Sequence, residues 1–253
     1  MYHCFTENIS SEQAVITGAD VNHIRNVLRM KPGDEMLVSD GRGMDAVCRI
    51  SLITDEEVVA DVISRADDRE LPVRLTLYQA LPKGDKMETI IQKCTELGVS
   101  RIVPVESSRC VVKLDSKTKV KKVERWQKIA QSASEQSQRG CIPEISDVMC
   151  FKDVVQEAKM HGINVFAYER ADDRESLKKL LAACREAGEE AGKCSGLEIG
   201  IFVGPEGGWS EEEADMAREA GISWITLGQR ILRTETAGMA VIAAVMLEIE
   251  AGL

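Results

Sequence analysis

The chain has 253 residues, of which 44% are hydrophobic, and this suits one large or two modest globular domains. Its net charge of −10 excludes a global basic field that would attract nucleic acid, although a local basic segment is compatible with that average. The longest apolar stretch, 239–247, is about half of the roughly 20 residues that a membrane span requires, and no secretory signal is visible, so we expect a cytoplasmic protein.

Short segments rich in Val and Ile make up the first part of the chain. They predict strands at residues 14–17, 35–40, 44–50 and 58–64. Residues 40–43 read DGRG and predict a hairpin turn, and one short helix is expected near residues 21–30. The polar segment 65–72 ends in Pro72, where we place a domain boundary. The sequence thus predicts a small β-barrel domain over residues 1–70.

Strands and helices alternate from residue 71 onward. Apolar residues at positions 87, 90, 91, 94 and 97 have helical spacing. Strands are predicted at residues 73–81, 101–105, 163–167, 197–203 and 222–227. Further helices are predicted near residues 119–138, 151–161, 174–190, 210–220 and 235–250. This alternation predicts a parallel sheet covered on both faces, so the expected fold class is α/β.

A glycine-rich loop, GPEGG at residues 204–208, follows the strand at 197–203. Ser210 and Glu213 have the spacing of a capping box, so a helix is expected to begin near residue 210. The loop lacks the phosphate-binding lysine motif and the dinucleotide fingerprint. Glutamates at 206 and 211–213 would repel a phosphate group. A ligand without phosphates, carrying positive charge, fits this loop, unless the glycines only form a tight turn.

A second unusual segment, LGQRILRTETAG at residues 227–238, follows the next strand. Gly228 permits a turn, and Thr234 or Thr236 can cap the final helix. Loops at the carboxyl ends of two parallel strands can form one crevice. The sequence therefore predicts that this segment and the glycine loop share a ligand site.

A basic segment runs from residue 109 to residue 139. It contains nine cations and three anions, a net charge of +6 in an acidic chain. Two interpretations are open from charge alone: a solvated helix face, or a surface that contacts phosphate groups.

Six motifs together resemble a known family. They are HIRNVLRM (23–30), LPKGDKMETIIQKCTELG (81–98), SSRCVVK (107–113), RWQKIAQSASEQSQR (125–139), GPEGG (204–208) and LGQRILRTETA (227–237). They resemble the SPOUT class of methyltransferases and, more closely, the 16S ribosomal RNA uridine-N3 methyltransferase family, over nearly the whole chain.

The resemblance implies a PUA-like N-terminal β-barrel for RNA binding at residues 1–70 and a C-terminal parallel-sheet SPOUT domain with a deep trefoil knot at residues 71–253. It also implies a homodimer that methylates N3 of one uridine in 16S rRNA, within the assembled small subunit, with S-adenosylmethionine as donor. The donor has no phosphate and carries a sulfonium, which agrees with the acidic glycine loop.

Site residues are expected within these motifs, in the basic segment and, for Tyr168, in a third loop beside the predicted cofactor site. Cofactor binding is expected of Tyr168, Gly204, Gly207, Gly208, Leu227, Gly228, Ile231 and Leu232. RNA binding is expected of Arg25, Arg29, Arg109, Lys113, Lys121 and Lys122. Arg139 and Arg233 are the candidate catalytic residues, because an arginine that binds the uracil carbonyl oxygens would stabilise the charge that develops there. Glu135 and Glu235 are both open as proton acceptors.

One position departs from the family pattern. The arginine that the family places two residues before an aromatic residue, near the N-terminus, is replaced by His3, before Phe5. A histidine whose pKa is raised could still carry positive charge there.

Two other functions are open: an RNA-binding factor with the knotted fold but no catalysis, and a SPOUT methyltransferase acting on tRNA ribose. The intact GPEGG and RILRTETA segments argue against the first, and the N-terminal barrel with the KGDKMETIIQKCTELG segment argues against the second.

The eight cysteines include no Cys-x-x-Cys pair, and the chain has only three histidines, so we expect no metal site. In a reducing compartment we expect free thiols.

Overall fold

The computed structural model describes residues 1–67, 69–171, 175–189 and 196–250. The chain forms two compact units: Met1–Glu70 with Ser134–Ile142, and Leu71–Ala133 with Pro143–Leu253. Each unit has its own buried apolar core. The short segment Ser134–Ile142 therefore belongs to the first unit, although the sequence analysis assigned it to the second domain.

A five-stranded sheet forms the first unit. Its strands are β1 (Tyr2–Phe5), β2 (Gln13–Thr17), β3 (Glu35–Ser39), β4 (Asp45–Ile53) and β5 (Glu57–Arg65). They lie in the order β1-β3-β4-β5-β2, with β1 parallel to β3 and the other pairs antiparallel. Between β2 and β3, helix α1 (Ala19–Asn22) continues into a π-helical turn at His23–Val27.

Most of the local predictions for this unit are confirmed. Asp40 Oδ1 accepts hydrogen bonds from the backbone N–H groups of Arg42 (2.7 Å) and Met44 (3.0 Å), which closes the expected turn between β3 and β4. The helical segment is shorter than expected and ends at Val27. Strand β1 was not predicted, because its pairing with β3 depends on residues far along the chain.

A seven-stranded sheet forms the centre of the second unit. Its strands are β6 (Arg74–Ala80), β7 (Arg101–Glu106), β8 (Glu144–Ile145), β9 (Met149–Cys150), β10 (Ile163–Ala167), β11 (Glu198–Val203) and β12 (Ser223–Ile225). The order is β12-β10-β11-β6-β7-β8, and β9 also pairs with β7. All described pairs are parallel, so the carboxyl ends of these strands lie at one edge.

Helices alternate with these strands as the sequence predicts. They are α2 (Lys86–Glu96), α3 (Ser116–Ser137), α4 (Phe151–Ala158), α5 (Glu175–Glu189), α6 (Glu211–Glu219) and α7 (Thr234–Glu250). The predicted apolar face of α2 is confirmed, with Met87, Ile90, Ile91 and Cys94 buried. Strands β8 and β9 were not predicted, because two residues each are too few to produce a pattern.

The last helix, α7, packs one face on α2, α5 and β11. That face buries Ala237, Gly238, Val241, Ile242 and Val245. Gly238 permits a close approach, because a Cβ atom there would lie 3.4 Å from Leu77 Cδ1. On the opposite side Ala240 and Ala243 are partly exposed and Leu247 is exposed. The helix is therefore not wholly buried within one subunit.

Seven described cysteines are free thiols, of which Cys150 is exposed, and Cys194 lies outside the described residues. Burial raises the pKa of the Cys94 and Cys184 thiols to about 12. Within the described ranges, no group of three His, Cys, Asp or Glu side chains could hold a metal ion. None of the helices described there combines the length and apolarity needed to cross a bilayer.

Candidate functional site

A cavity of about 360 Å³ opens in the second unit, beyond the carboxyl ends of three adjacent strands. Residues 167–169 at the end of β10, 203–206 with 208 and 209 at the end of β11, and 226–234 after β12 line it, together with Lys86 and Ala237. The parallel order β12-β10-β11 brings the three segments to one edge of the sheet, where α/β folds bind their ligands.

Most of the residues predicted to bind the cofactor line this cavity. They are Tyr168, Gly204, Gly208, Leu227, Gly228, Ile231 and Leu232. Gly207 is not among them. A Cβ atom at Gly207 would lie 3.6 Å from Arg109 Cβ, and the Gly207 carbonyl accepts a hydrogen bond from Arg109 Nη1 at 3.0 Å. Gly207 thus packs on the loop at 107–110, and its role in cofactor binding stays a prediction.

The glycine loop needs glycine for two separate reasons at Gly208. Its φ of +65° lies in the left-handed region that other residues rarely adopt. A Cβ atom there would also lie 2.9 Å from Glu169 Oε2. The tight turn that follows β11 and the open space in the cavity are therefore produced by the same residue.

One hydroxyl group connects the loop after β11 with the start of α7. Thr234 Oγ1 donates a hydrogen bond to the Gly204 carbonyl at 2.6 Å and accepts one from Gln79 Nε2 at 2.9 Å. Thr234 is the first residue of α7 and is buried. Its hydroxyl was expected to cap this helix, but it fixes the backbone of the glycine loop instead.

The glutamates of the first turn of α6 are engaged with protein groups. The capping box is confirmed: Ser210 Oγ accepts from the Glu213 N–H and Glu213 Oε2 accepts from the Ser210 N–H. Glu213 Oε1 also accepts from the Ser108 N–H at 2.7 Å, and Glu211 pairs with Arg170. The repulsion of a phosphate by residues 211–213 stays a prediction, and other carboxylates line the cavity itself.

Those carboxylates belong to Glu169 and Glu206. Glu206 Oε1 lies 2.8 Å from Lys86 Nζ, and Lys86 also lines the cavity. Although burial opposes ionisation of Glu206, the hydrogen bond from Lys86 lowers the pKa of this carboxyl. The sequence analysis did not single out Lys86, although it lies in the 81–98 segment that carries part of the family resemblance.

The two candidate catalytic arginines have different environments. Arg233 lines the cavity and 81% of its side chain is exposed. Arg139 belongs to the first unit, is only 5% exposed and pairs with Glu70, whose two oxygens lie 3.2 Å from Arg139 Nε. This ion pair holds the Arg139 guanidinium within the first unit, and the catalytic role of Arg139 stays a prediction.

The predicted RNA-binding residues lie on both units. In the first, Arg25 pairs with Asp55 and Arg29 is exposed. In the second, Lys113 and Lys121 are exposed, and Lys122 Nζ lies 5.6 Å from the centre of the Trp126 ring. Lys121 shares a shallow groove on α3 with Arg125 and Lys128. Arg109 is exposed, but it anchors the Gly207 carbonyl.

His3 cannot replace the cation of the family pattern. It is buried, its Nε2 lies 2.8 Å from Ser39 Oγ, and burial lowers its pKa to about 4. His3 is thus neutral near pH 7, so the raised pKa that would let a histidine carry charge at this position is not found.

Comparison with known proteins identifies the family. The sequence pattern of an RNA methyltransferase domain matches residues 69–246, and that of an RNA methyltransferase PUA domain matches residues 16–63. The chain is 38% identical to ribosomal RNA small subunit methyltransferase E of Bacillus subtilis, over 93% of this chain and 90% of that protein. This chain belongs to the ribosomal RNA small subunit methyltransferase E family. The α/β class and the PUA-like domain predicted from the sequence are confirmed.

Two solved structures are similar over nearly their whole length, and both contain S-adenosylmethionine. The enzyme of this family from Neisseria gonorrhoeae is 32% identical, with a TM-score of 0.80, and the match covers 98% of this chain and 97% of that one. A putative methyltransferase from Legionella pneumophila is 27% identical, with a TM-score of 0.80, covering 96% and 95%. The trefoil knot stays a prediction.

We expect Arg139→Ala to destabilise the first unit, because it leaves the carboxylate of Glu70 without its main partner. Breaking a buried ion pair by removing one partner costs about 3–5 kcal/mol. Urea unfolding measures the loss. Arg49→Ala is the matched control, since its ion pair with Glu35 is exposed and lies in the same unit; it should cost less than about 1 kcal/mol. An Arg139→Ala protein of unchanged stability that has lost methyl transfer would contradict this expectation and support the catalytic role of Arg139.

Proposed function

We propose that this protein transfers the methyl group of S-adenosylmethionine to N3 of a uridine in the 16S rRNA of the small ribosomal subunit. The observation that carries the proposal is the cavity at the carboxyl ends of β10, β11 and β12. Two of the six motifs that resemble the family, GPEGG at 204–208 and LGQRILRTETA at 227–237, contribute to its lining. We also propose that the first unit, together with the basic segment, binds the flanking RNA in the assembled subunit, and that the protein acts in the cytoplasm.

The lining of the cavity fits the proposed donor. S-adenosylmethionine, when bound, supplies an electrophilic methyl group on a positively charged sulfur. Leu227, Ile231 and Leu232 offer apolar contact to the adenine ring, while Gly208 leaves space that a Cβ atom would fill. The lining contains two carboxylates, Glu169 and Glu206, and three cations, Lys86, Arg230 and Arg233, so it can bind a ligand that carries charges of both signs.

Methylation at N3 requires an unpaired uracil base, because N3 is hydrogen-bonded to the opposite base in a duplex. The base must also lose its imide proton. Negative charge then develops on the two flanking carbonyl oxygens. We assign Arg233 to these oxygens, because its exposed guanidinium lies at the cavity and a positioned cation stabilises developing charge.

We assign the role of proton acceptor to Glu235, one of the two glutamates left open by the sequence. Its carboxylate Oε2 lies 3.4 Å from Lys86 Nζ, and its Oε1 lies 3.9 Å from Arg233 Nη1. Both of these cations line the cavity. Glu135, the other candidate, belongs to the first unit.

A homodimer is also proposed, on the evidence of α7. Its partly exposed side carries Ala240, Ala243 and Leu247 at helical spacing. Small apolar side chains along one side of a helix allow a second helix to approach closely. In a monomer this apolar side of α7 would be exposed to water.

The proposed reaction is tested on small subunits from a strain that lacks the gene. Incubation with the protein and S-adenosylmethionine should produce 3-methyluridine in 16S rRNA, identified by mass spectrometry of the digested nucleosides. A ribose-methylated nucleotide, a methylated tRNA, or binding without any methyl transfer would each contradict the proposal.

Arg233→Ala should lower the single-turnover rate at saturating small subunits by about a hundredfold, by analogy with the loss of one oxyanion donor. Affinity for S-adenosylhomocysteine should change little, because Arg233 is assigned to the base. The matched control is Arg74→Ala, an exposed arginine at the amino end of β6 in the same unit. If excess subunits restore the rate of the Arg233→Ala variant, this arginine only binds RNA.

Sedimentation equilibrium at micromolar concentration should give about twice the 27.9 kDa of one chain. Ala243→Arg should yield a monomer, because it places a charge and a long side chain on the proposed contact side of α7. Met160→Arg, at an exposed apolar residue that follows α4, should remain a dimer. A wild-type protein that sediments as a monomer refutes the homodimer.

A further inference from the structure

A lysine and a glutamate from distant parts of the chain form an ion pair in the lining of the cavity. Lys86 is the first residue of α2 and Glu206 lies in the GPEGG loop; Nζ and Oε1 are 2.8 Å apart. Their side chains are 33% and 28% exposed, so both are held by the protein while one side of each stays accessible. The pair therefore presents a fixed positive and a fixed negative group to a ligand.

Each member of the pair retains hydrogen-bonding capacity. The Lys86 ammonium has three N–H donors, and two acceptors, Glu206 and Glu235, lie within 3.4 Å of it. The Glu206 carboxylate has about four lone-pair sites, and it accepts from Lys86 Nζ and from the Lys83 N–H at 3.1 Å. A ligand group with one carboxylate and one ammonium could therefore bind both residues without displacing their present partners.

We infer that Lys86 and Glu206 form the subsite for the α-amino-acid end of the donor, with Lys86 binding its carboxylate and Glu206 its ammonium. This inference rests on the proposed function, because it requires S-adenosylmethionine in the cavity. The zwitterionic end of that molecule carries one group of each charge, which matches the pair.

The geometry favours Lys86 over the other cations of the lining. Arg230 and Arg233 are exposed residues of the loop after β12. Lys86 is instead oriented by Glu206 and Glu235 and lies on a helix. A positioned group loses less conformational freedom when it binds, so it makes the stronger contact.

The competing explanation is that the ion pair only connects the start of α2 to the glycine loop. In that case its removal would loosen the loop and weaken every ligand of the cavity to a similar extent. If the residues contact the ligand directly, their removal would weaken the binding of only those ligands that carry the matching charged group.

Isothermal titration calorimetry with three ligands separates these explanations. S-adenosylhomocysteine has both charged groups, its decarboxylated analogue S-adenosyl-3-thiopropylamine keeps only the amine, and 5′-methylthioadenosine has neither. We expect Lys86→Met to lower the affinity for S-adenosylhomocysteine about 30-fold, which is typical of one lost hydrogen bond to a charged group. The other two ligands should change less than about threefold, since neither has a carboxylate for Lys86 to bind.

Two further variants complete the test. Lys83→Met is the matched control, because it removes an exposed lysine three residues away while the backbone bond to Glu206 can persist; all three affinities should be unchanged. Glu206→Gln should lower the affinity for both amine-bearing ligands about tenfold and leave the affinity for 5′-methylthioadenosine unchanged. Thermal unfolding confirms that each variant is folded.

If Lys86→Met lowers the affinity for all three ligands equally, the inference is overturned and the ion pair is a structural connection. Unchanged binding of S-adenosylhomocysteine would overturn it as well, while the proposed function would stand. A wild-type protein that binds neither S-adenosylmethionine nor S-adenosylhomocysteine would refute the proposed function, and the inference with it.

Discussion

The parallel alignment of β10, β11 and β12 is the constraint on which the site depends. Parallel strands direct their carboxyl ends to one edge, and β10 lies between the other two. Three separate segments of the chain therefore meet around one cavity, and most of their lining residues lie in loops. The sheet, covered by helices, is the rigid scaffold, and the loops at its edge carry the site residues, as is typical of α/β proteins.

Contacts at the loop ends then hold the cavity open. The Thr234 hydroxyl bonds to the Gly204 carbonyl, and the Glu213 carboxylate bonds to the Ser108 N–H. Both polar groups are buried, so each bond would be costly to lose. Thr234 thus fixes the backbone of the glycine loop, while Glu213 connects the start of α6, just after the loop, to the segment at 107–110.

Local patterns predicted much of this structure. The spacing of Ser210 and Glu213 indicated the capping box, and the apolar positions of α2 indicated its buried face, because both signals lie within a few residues. The two glycine-containing segments also indicated most of the cavity lining. Their position after strands of one parallel sheet was sufficient to bring them together.

The features that the sequence did not predict have a common physical origin, which is pairing between residues that are far apart in the chain. Arg139 is separated from Glu70 by 69 positions, and nothing near Arg139 indicates that it is buried. Lys86 and Glu206 are 120 positions apart, so neither local sequence indicates an ion pair. Gly208 lines the cavity whereas its neighbour Gly207 packs on Arg109, and no local pattern indicates that contact.

The geometry at Gly208 restricts how this loop can change during evolution. Every single-nucleotide missense change in a glycine codon introduces a side chain, and any Cβ atom at this position would meet the Glu169 carboxylate at 2.9 Å while the backbone stays at a φ of +65°. A residue with a side chain at position 208 must therefore adopt a left-handed backbone and displace the end of the Glu169 side chain, so single substitutions there are expected to cost stability.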